Sequence, residues 1–300
     1  MKPLISTKVV KLLPIIVSCL FLGGCSEDEK TELYNTVDQN QSNNSSTSPN
    51  EDNKNTSGEF IHGKNKTFTV NGVSFTMIAV QGGSFRMGGT AEQTQYASDD
   101  EYPIHNVYIS NFYIGETEVT QELWKAVAGN RFFAGENQFP AIGVYWELCQ
   151  TFIAKLNELT GEHFRMPTEA EWEFAARGGI KAQGFIYSGS NYADAVAWYN
   201  DNAPSFTTET GGYYYRWCTR VKTKAPNELG IYDMSGNVSE YCSDWYGAYP
   251  SEDQVNPQGS VNGELHVQRG GDFDRGSDDC RVSSGIGTSS DYRTGLRLAL

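Results

Sequence analysis

The sequence predicts an α+β fold: one irregular domain over residues 58–300, with few short strands, two or three helices and long ordered loops. Three observations point there. Asn71-Gly72 sits inside an alternating apolar and polar stretch, Phe68 to Met77, the strongest short-range hairpin signal. Separate helical patterns begin near Thr120, Trp146 and Thr168. Between about 180 and 220, Gly, Asn, Ser and Tyr dominate with little periodicity, so that region reads as loops held by aromatic packing.

The N-terminus stands apart from the fold. Lys2, Lys8 and Lys11 precede an apolar run from Leu12 to Leu22, followed by Gly-Gly-Cys25. A charged flank, a short apolar core and small residues make residues 1–24 a secretory signal, and the run is short for a spanning helix. Cys25 after the small residues resembles the lipobox of bacterial lipoproteins. That resemblance implies lipidation at Cys25 and a place in the cell envelope at the outer membrane, with the membrane as a partner; an ordinary cleaved signal is the alternative. Residues 25–57 lack almost every core-forming side chain and read as a disordered tether. Its Ser26-Glu-Asp-Glu29 run resembles the surface-export signal of Bacteroidetes lipoproteins and equally suits a solvated charge run.

The whole chain carries −14. Without the three signal lysines, 20 basic residues face 37 acidic ones, a balance of −17. The tether holds two lysines against seven acids, which leaves −12 on residues 58–300. Such a domain repels phosphate backbones, which argues against nucleic acid, and suits a bound cation. After Cys19 and Cys25 are set aside, Cys149, Cys218, Cys242 and Cys280 remain, with no CxxC spacing for zinc and three possible disulfide connectivities.

In chain order, the hairpin is followed by Val80-Gln-Gly-Gly-Ser-Phe-Arg-Met-Gly-Gly89, where Phe85 and Met87 share a strand face. Extended segments follow from Glu101 to Ile109 and from Phe112 to Thr120. Thr120 caps a helix carrying Leu123, Trp124 and Val127. The next helix, from about Trp146 to Leu159, aligns Trp146, Cys149, Phe152, Ile153, Leu156 and Leu159 on one stripe. In Phe164 to Gly179, Pro167 ends an extended run, and Thr168 with Glu171 closes a capping box. Trp172, Ala175 and Ala176 fall on one face before Gly178-Gly179 stops the helix. This short helix is a packing anchor, and Glu169, Glu171 and Glu173 are structural acids of its first turns. Tyr187, Tyr192, Trp198, Tyr199, Tyr213, Tyr214, Tyr215 and Trp217 follow on loops, suited to a protein or glycan partner or to filling a small core. Regular structure returns near Leu229–Trp245, Val267–Phe273 and Gly295–Ala299.

Phe164-Arg-Met-Pro-Thr-Glu-Ala-Glu-Trp-Glu-Phe-Ala-Ala-Arg-Gly-Gly179 resembles the signature R-L-P-T-E-A-E-W-E-x-A-A-R-G-G of the formylglycine-generating enzyme family, the sulfatase-modifying factors. Further blocks resemble the family in order. They include Gly82 to Gly88, the Glu101-x-Pro-x-His-x-Val107 and Glu118-Val-Thr120 segments, and Pro140 to Trp146 with Tyr145 in place of Ser. Leu229 to Tyr241, Arg269-Gly-Gly271 and Gly295-Leu-Arg-Leu-Ala299 complete the set. The resemblance implies a C-type-lectin-like core.

The family oxidises a sulfatase cysteine with dioxygen through two copper-binding cysteines five residues apart. Counted from Gly271, those positions are Arg275 and Cys280, so Cys280 is the single remnant and neither copper nor oxidase activity is expected. Ser239 and Asp272 replace a Trp and a Ser of the family's substrate cleft. The resemblance also implies one calcium at Asp233, Gly236, Val238 and Glu240, oxygen donors in a sharply turned backbone. Alternatively, Asp233 caps a turn and Glu240 pairs with an arginine. A second family calcium does not carry over, because Val196 and Ala197 stand where a polar ligand belongs. The family's usual bridge partner for Cys149 is Leu298 here. Cys242 and Cys280 lie on segments adjacent in the family fold and are the expected disulfide.

Other chemistry finds little support. His62, His105, His163 and His266 are scattered, and Asp272, Asp274, Asp278 and Asp279 read as a solvated acidic loop or as ligands. Two functions remain: a lipid-anchored, non-catalytic binding or assembly module, or an enzyme, either a sulfatase activator or an oxidoreductase of another substrate.

Overall fold

The computed structural model describes residues 63–130, 137–207 and 214–300, with the side chains of 206, 207, 214 and 215 excepted. Residues 1–24, expected as a signal, Cys25, the expected tether, His62 and Tyr213 lie outside the described residues, as do the side chains of Tyr214 and Tyr215. The described residues fall within one compact unit. Among the described residues no helix is long and apolar enough to cross a membrane.

The strands in chain order are β1 (Lys66–Val70), β2 (Val73–Val80), β3 (Gly83–Met87), β4 (His105–Ile109), β5 (Phe112–Gly115), β6 (Ser205–Thr207) and β7 (Tyr214–Arg216). They continue with β8 (Ser239–Trp245), β9 (Gln254–Val255), β10 (His266–Arg269), β11 (Gly285–Thr288) and β12 (Thr294–Gly295). The helices are α1 (Gln121–Ala128), α2 (Trp146–Thr160), α3 (Glu169–Ala176) and the single turn α4 (Ala193–Val196).

The expected hairpin is β1–β2, closed between Val70 and Val73. Asn71 and Gly72 both take positive φ, 48° and 83°, as the hairpin turn matching strand twist requires. β5 adds to the free edge of β2 in antiparallel register. A second sheet runs β3-β4-β9, with β9 parallel to β4, and β6–β7 is a separate pair. The third sheet has the order β11-β10-β8-β12, with β12 parallel to β8.

α1 begins as expected, the Thr120 hydroxyl accepting from the Leu123 amide at 3.2 Å. α2 ends at Gly161, φ 72°, in the left-handed conformation that glycine adopts without a Cβ penalty. Its stripe is buried from Cys149 through Leu156, whereas Trp146 is half-buried and Leu159, in the last turn, is 52% exposed. Trp124 of α1 stacks on Phe152 of α2 with ring centroids 4.6 Å apart. These helices and the β1-β2-β5 sheet enclose one core around Met77, Leu123, Phe152, Leu156 and Phe164.

α3 departs from the one-faced expectation: every residue from Ala170 to Ala176 is buried. It contacts β3, β4, β8 and β10, and Trp172, Phe174, Val107, Ile109, Cys242 and Val267 form a second core around it. Burying a tryptophan fully is worth roughly 5 kcal/mol gross, before ordering costs. The capping box is present in both directions, Glu171 N to Thr168 Oγ1 at 3.2 Å and Thr168 N to Glu171 Oε2 at 2.9 Å. A helix buried all round must neutralise its acids internally. Glu171 takes Arg165 at 2.6 and 2.7 Å, Glu173 takes Arg177 and Arg269, and Glu169 meets Arg269 at 3.1 Å.

The expected Cys242–Cys280 disulfide is corrected: Cys149, Cys218, Cys242 and Cys280 all stand as buried thiols. Cys242 belongs to the core around α3, whereas Cys280 packs in a separate small cluster with Tyr187, Val196, Ala197 and Tyr199.

Candidate functional site

The loop expected to hold calcium is a backbone crossing. Asp233, Gly236 and Asn237 all adopt positive φ, at 58°, 72° and 63°. The Gly236 amide donates to the Gly270 carbonyl at 2.7 Å, and the Asn237 amide donates to the Trp198 carbonyl at 2.8 Å. A Cβ on Gly236 would lie 2.3 Å from that Trp198 oxygen, so only glycine fits. Asp233 Oδ2 accepts the Lys222 amide at 2.8 Å. Val238 is buried in a small cluster with Cys218 and Phe273.

Glu240 is otherwise engaged. Arg297 Nε lies 3.0 and 2.8 Å from its two oxygens, Arg297 Nη2 donates to Oε1 at 2.6 Å, and the Trp172 indole donates to Oε2 at 2.7 Å. Three N–H donors thus engage both carboxylate oxygens. Sequence reasoning missed a third acid here. Glu118, 1% exposed, accepts from Asn237 Nδ2 at 3.0 Å through Oε1, while Oε2 has no hydrogen-bond partner. Burial, then the charge of Asp233, pushes Glu118 well above the usual carboxylate range. Burial likewise raises Asp233 to about 6. The available signal was the Glu118-Val-Thr120 block, legible as a helix start and silent about the acid. Among the described residues no set of three or more His, Cys, Asp or Glu side chains is grouped as a metal shell, so a cation here would also draw on backbone carbonyls. Val196 and Ala197 are buried in a small cluster with Tyr187 and Tyr199.

The Cys280 region is built from charge pairs. Cys280 closes a short turn, Ser277–Cys280, and is fully buried beneath Gly271, where a Cβ would sit 2.8 Å from its sulfur. Burial pushes its thiol up, away from the thiolate that copper binding needs. Arg275 Nε donates to Asp272 Oδ2 at 3.0 Å, and Ser239 Oγ reaches the same oxygen at 3.2 Å. Arg293 pairs with Asp291 at 2.8 Å and lies 3.6 Å from Asp274, which Arg216 approaches at 3.5 Å. Burial alone would raise Asp291, but the hydrogen bonds from Arg293 outweigh it and hold the carboxyl low. The acidic loop is therefore not uniformly solvated: Asp272 is fully buried and paired, while Asp278 is exposed. A void of about 10 Å³ lies between Ser239, Gln268, Gly271 and Arg275, room for about one water.

A larger concavity, about 340 Å³, lies between the α3 N-terminus and the 247–260 loop, with His105, Glu169, Asp244, Trp245 and Tyr249 on its walls. Asp244 accepts the Glu169 amide at 3.0 Å, and burial followed by the Glu169 charge raises it to about 7. His266 lies between the Trp146 and Trp245 rings, at centroid distances of 3.9 and 3.8 Å. The loop aromatics divide. Tyr187 and Tyr199 are core filler, whereas Tyr192 is 77% and Trp217 is 39% exposed.

Residues 63–300 match the family described as sulfatase-modifying factor enzyme 1-like domain. The chain belongs to that family. The chain is 37% identical over 216 residues to chaperone protein LppX of Paenibacillus barcinonensis, covering 58% of this chain and 73% of that one. It is 25% identical over 254 residues to the formylglycine-generating enzyme of Streptomyces coelicolor, covering 65% and 78%. Among solved structures, Treponema denticola variable protein 1 superposes with a TM-score of 0.66 at 29% identity, covering 78% of this chain and 98% of that one. The irregular α+β domain expected from sequence is thus the sulfatase-modifying-factor fold. In this sulfatase-modifying-factor domain the signature helix is α3, and the Arg of the last block is the Arg297 that meets Glu240.

Proposed function

We propose that this protein is a lipid-anchored cell-envelope protein whose sulfatase-modifying-factor domain acts as a calcium-stabilised binding or assembly module without oxidase chemistry. One observation carries the reading. Arg275, at the position counted for the first copper cysteine, is tied to Asp272 at 3.0 Å, and Cys280 is a buried thiol with a raised pKa. Linear copper ligation needs two soft donors, and a guanidinium is not one. These residues do not fit copper. The chaperone name of the 37% identical relative supports a binding role, and exposed Tyr192 and Trp217 offer contact surface for a protein or glycan. Leu22-Gly-Gly-Cys25 supports the anchor, which would hold the domain at the outer membrane.

For calcium, Asp233 with the backbone at Gly236 and Val238 would hold the ion. Its charge would offset buried carboxylates that Arg297 alone does not balance. Added calcium should raise the melting temperature, by the equivalent of about 2.7 kcal/mol at one hundred times the dissociation constant. Identical melting curves in calcium and in chelator would remove this part of the reading.

The enzyme reading, a formylglycine-generating oxidoreductase, is favoured by the similarity to the Streptomyces coelicolor enzyme. One assay separates the two. The full-length protein is incubated with a Cys-x-Pro-x-Arg peptide, dioxygen and copper, and the aldehyde is sought by mass spectrometry. No product above the protein-free control is expected; multiple turnovers would establish the enzyme.

A further inference from the structure

We infer that the cavity of about 340 Å³ at the start of α3 binds an alkylammonium group, carried by a free amine or by a lysine side chain of a protein, with Asp244 as its principal contact. The site shares no wall residue with the loop at Asp233–Glu240 or with the Cys280 region. Among the described residues its walls carry two acids, Asp244 and Glu169, and no lysine or arginine. The two acids are neighbours in space, since the Glu169 amide donates to Asp244 Oδ2 at 3.0 Å.

Asp244 has an oxygen to offer. It is 3% exposed, and the Ser243 hydroxyl also donates to Oδ2 at 3.0 Å, while no donor among the described residues reaches Oδ1. A Cβ on Gly259 would lie 2.7 Å from Oδ1, and Gly259 is itself part of the cavity wall. That oxygen therefore borders the cavity and stays uncovered because residue 259 has no side chain. A buried carboxylate oxygen without a donor is costly unless a positive group or a hydrogen-bond donor meets it. Glu169 is only partly answered. The Tyr249 hydroxyl donates to its Oε1 at 2.9 Å, and Arg269 Nε, 3.1 Å from the same oxygen, is shared with Glu173. Burial raises both carboxyls, Asp244 to about 7, as befits acids that lack a full cationic partner.

The rest of the wall decides the class of cation. Met87, Ala170, Pro250 and Pro257 give it apolar faces, whereas a hard metal ion takes about six to eight oxygens. Among the described residues no group of three or more His, Cys, Asp or Glu side chains is placed to hold a metal. An ammonium on an aliphatic stem uses both kinds of surface, the head on the acids and the stem on the apolar faces. A guanidinium fits less well, because its fork pairs with both oxygens of one carboxylate and Asp244 Oδ2 already accepts two bonds. At the volume of about 30 Å³ that a water takes in the liquid, the cavity holds roughly ten non-hydrogen atoms, enough for a whole lysine residue.

The test titrates n-butylamine into the full-length protein by calorimetry at pH 8 and physiological salt, with n-butanol as the neutral control of the same shape. Butylamine should bind saturably with a dissociation constant of about 1 mM or lower, and butanol should not bind. Asp244→Asn keeps an acceptor for the Glu169 amide and should weaken butylamine binding about ten- to a hundredfold. Glu252→Gln alters an exposed acid outside the cavity, makes the same change in net charge and should bind as the parent does. Should Asp244→Asn not fold, Gln258→Lys takes its place, since it puts an ammonium of its own on an exposed part of the wall and should abolish binding. Nα-acetyl-lysine methylamide distinguishes the two sources: tighter binding than butylamine assigns the site to a protein's lysine, and weaker binding assigns it to a free amine. No saturable binding by the parent, equal binding of butanol, unchanged affinity in folded Asp244→Asn or in Gln258→Lys, or an equal loss in Glu252→Gln overturns the inference.

Discussion

Arg297 and Glu240 form a two-pronged ion pair in the interior, Nε to Oε2 at 2.8 Å and Nη2 to Oε1 at 2.6 Å, with side-chain exposures of 0% and 1%. The same guanidinium also donates to the Gly115 and Tyr232 carbonyls at 2.8 and 2.9 Å. It therefore joins the C-terminal segment after β12 to β8, the end of β5 and the loop at Tyr232. Arg297→Met should cost about 3–5 kcal/mol in urea unfolding, because it strands a buried carboxylate. Adding Glu240→Gln should recover much of that loss, since the pair is then removed together.

The crossing at Gly236 gives a second expectation. Gly236→Ala forces a non-glycine residue to φ 72° and drives a methyl group to 2.3 Å from the Trp198 carbonyl oxygen. Strain and overpacking together should cost about 2–4 kcal/mol. Gly230→Ala, at φ 83° with no atom within 4 Å of the added methyl, should cost less. Parallel denaturant curves rank the two, and an equal loss would show that the close approach does not matter.

Asp244 predicts a pH dependence. Its folded pKa is raised from 3.8 to about 7, by burial and then by Glu169. Between those values the folded protein holds a proton that the unfolded chain has released, so this group's stabilisation is full below the lower value and is lost as pH rises through the upper one. Asp244→Asn keeps an acceptor for the Glu169 amide and cannot titrate. The variant should therefore gain on the parent as pH rises, by up to about 1.4 kcal/mol per unit within the window. Melting temperatures of both proteins from pH 4 to pH 8 measure it; a constant difference would show that Asp244 titrates normally.

The cysteines predict a labelling pattern. Cys149, Cys218, Cys242 and Cys280 are each at most 2% exposed and stand as thiols. Alkylation without reductant should leave all four unmodified in the folded protein and modify all four in guanidinium. A Cys242–Cys280 bridged peptide in the non-reduced map would show that these two cysteines form a disulfide instead.

What the sequence determined by itself was local. Asn71-Gly72 specifies the hairpin because both residues tolerate positive φ, Thr168 and Glu171 specify the start of α3, and the apolar spacing of Leu123, Trp124, Phe152 and Leu156 specifies two helical faces. Each signal acts over a few residues, where backbone sterics and short hydrogen bonds decide. Family blocks extended this to the fold and to the loop at Asp233, since a shared motif order carries a shared topology. Only the tertiary structure decided which charges meet. Glu118 and Asn237 are 119 residues apart, Glu240 and Arg297 are 57, and the buried Glu101 and Arg281 are 180. The state of a buried carboxylate depends on desolvation and on the donors that chain folding delivers to it. Glu118 and Glu240 are the same residue type in the sequence, and packing leaves one with an open oxygen and the other with none.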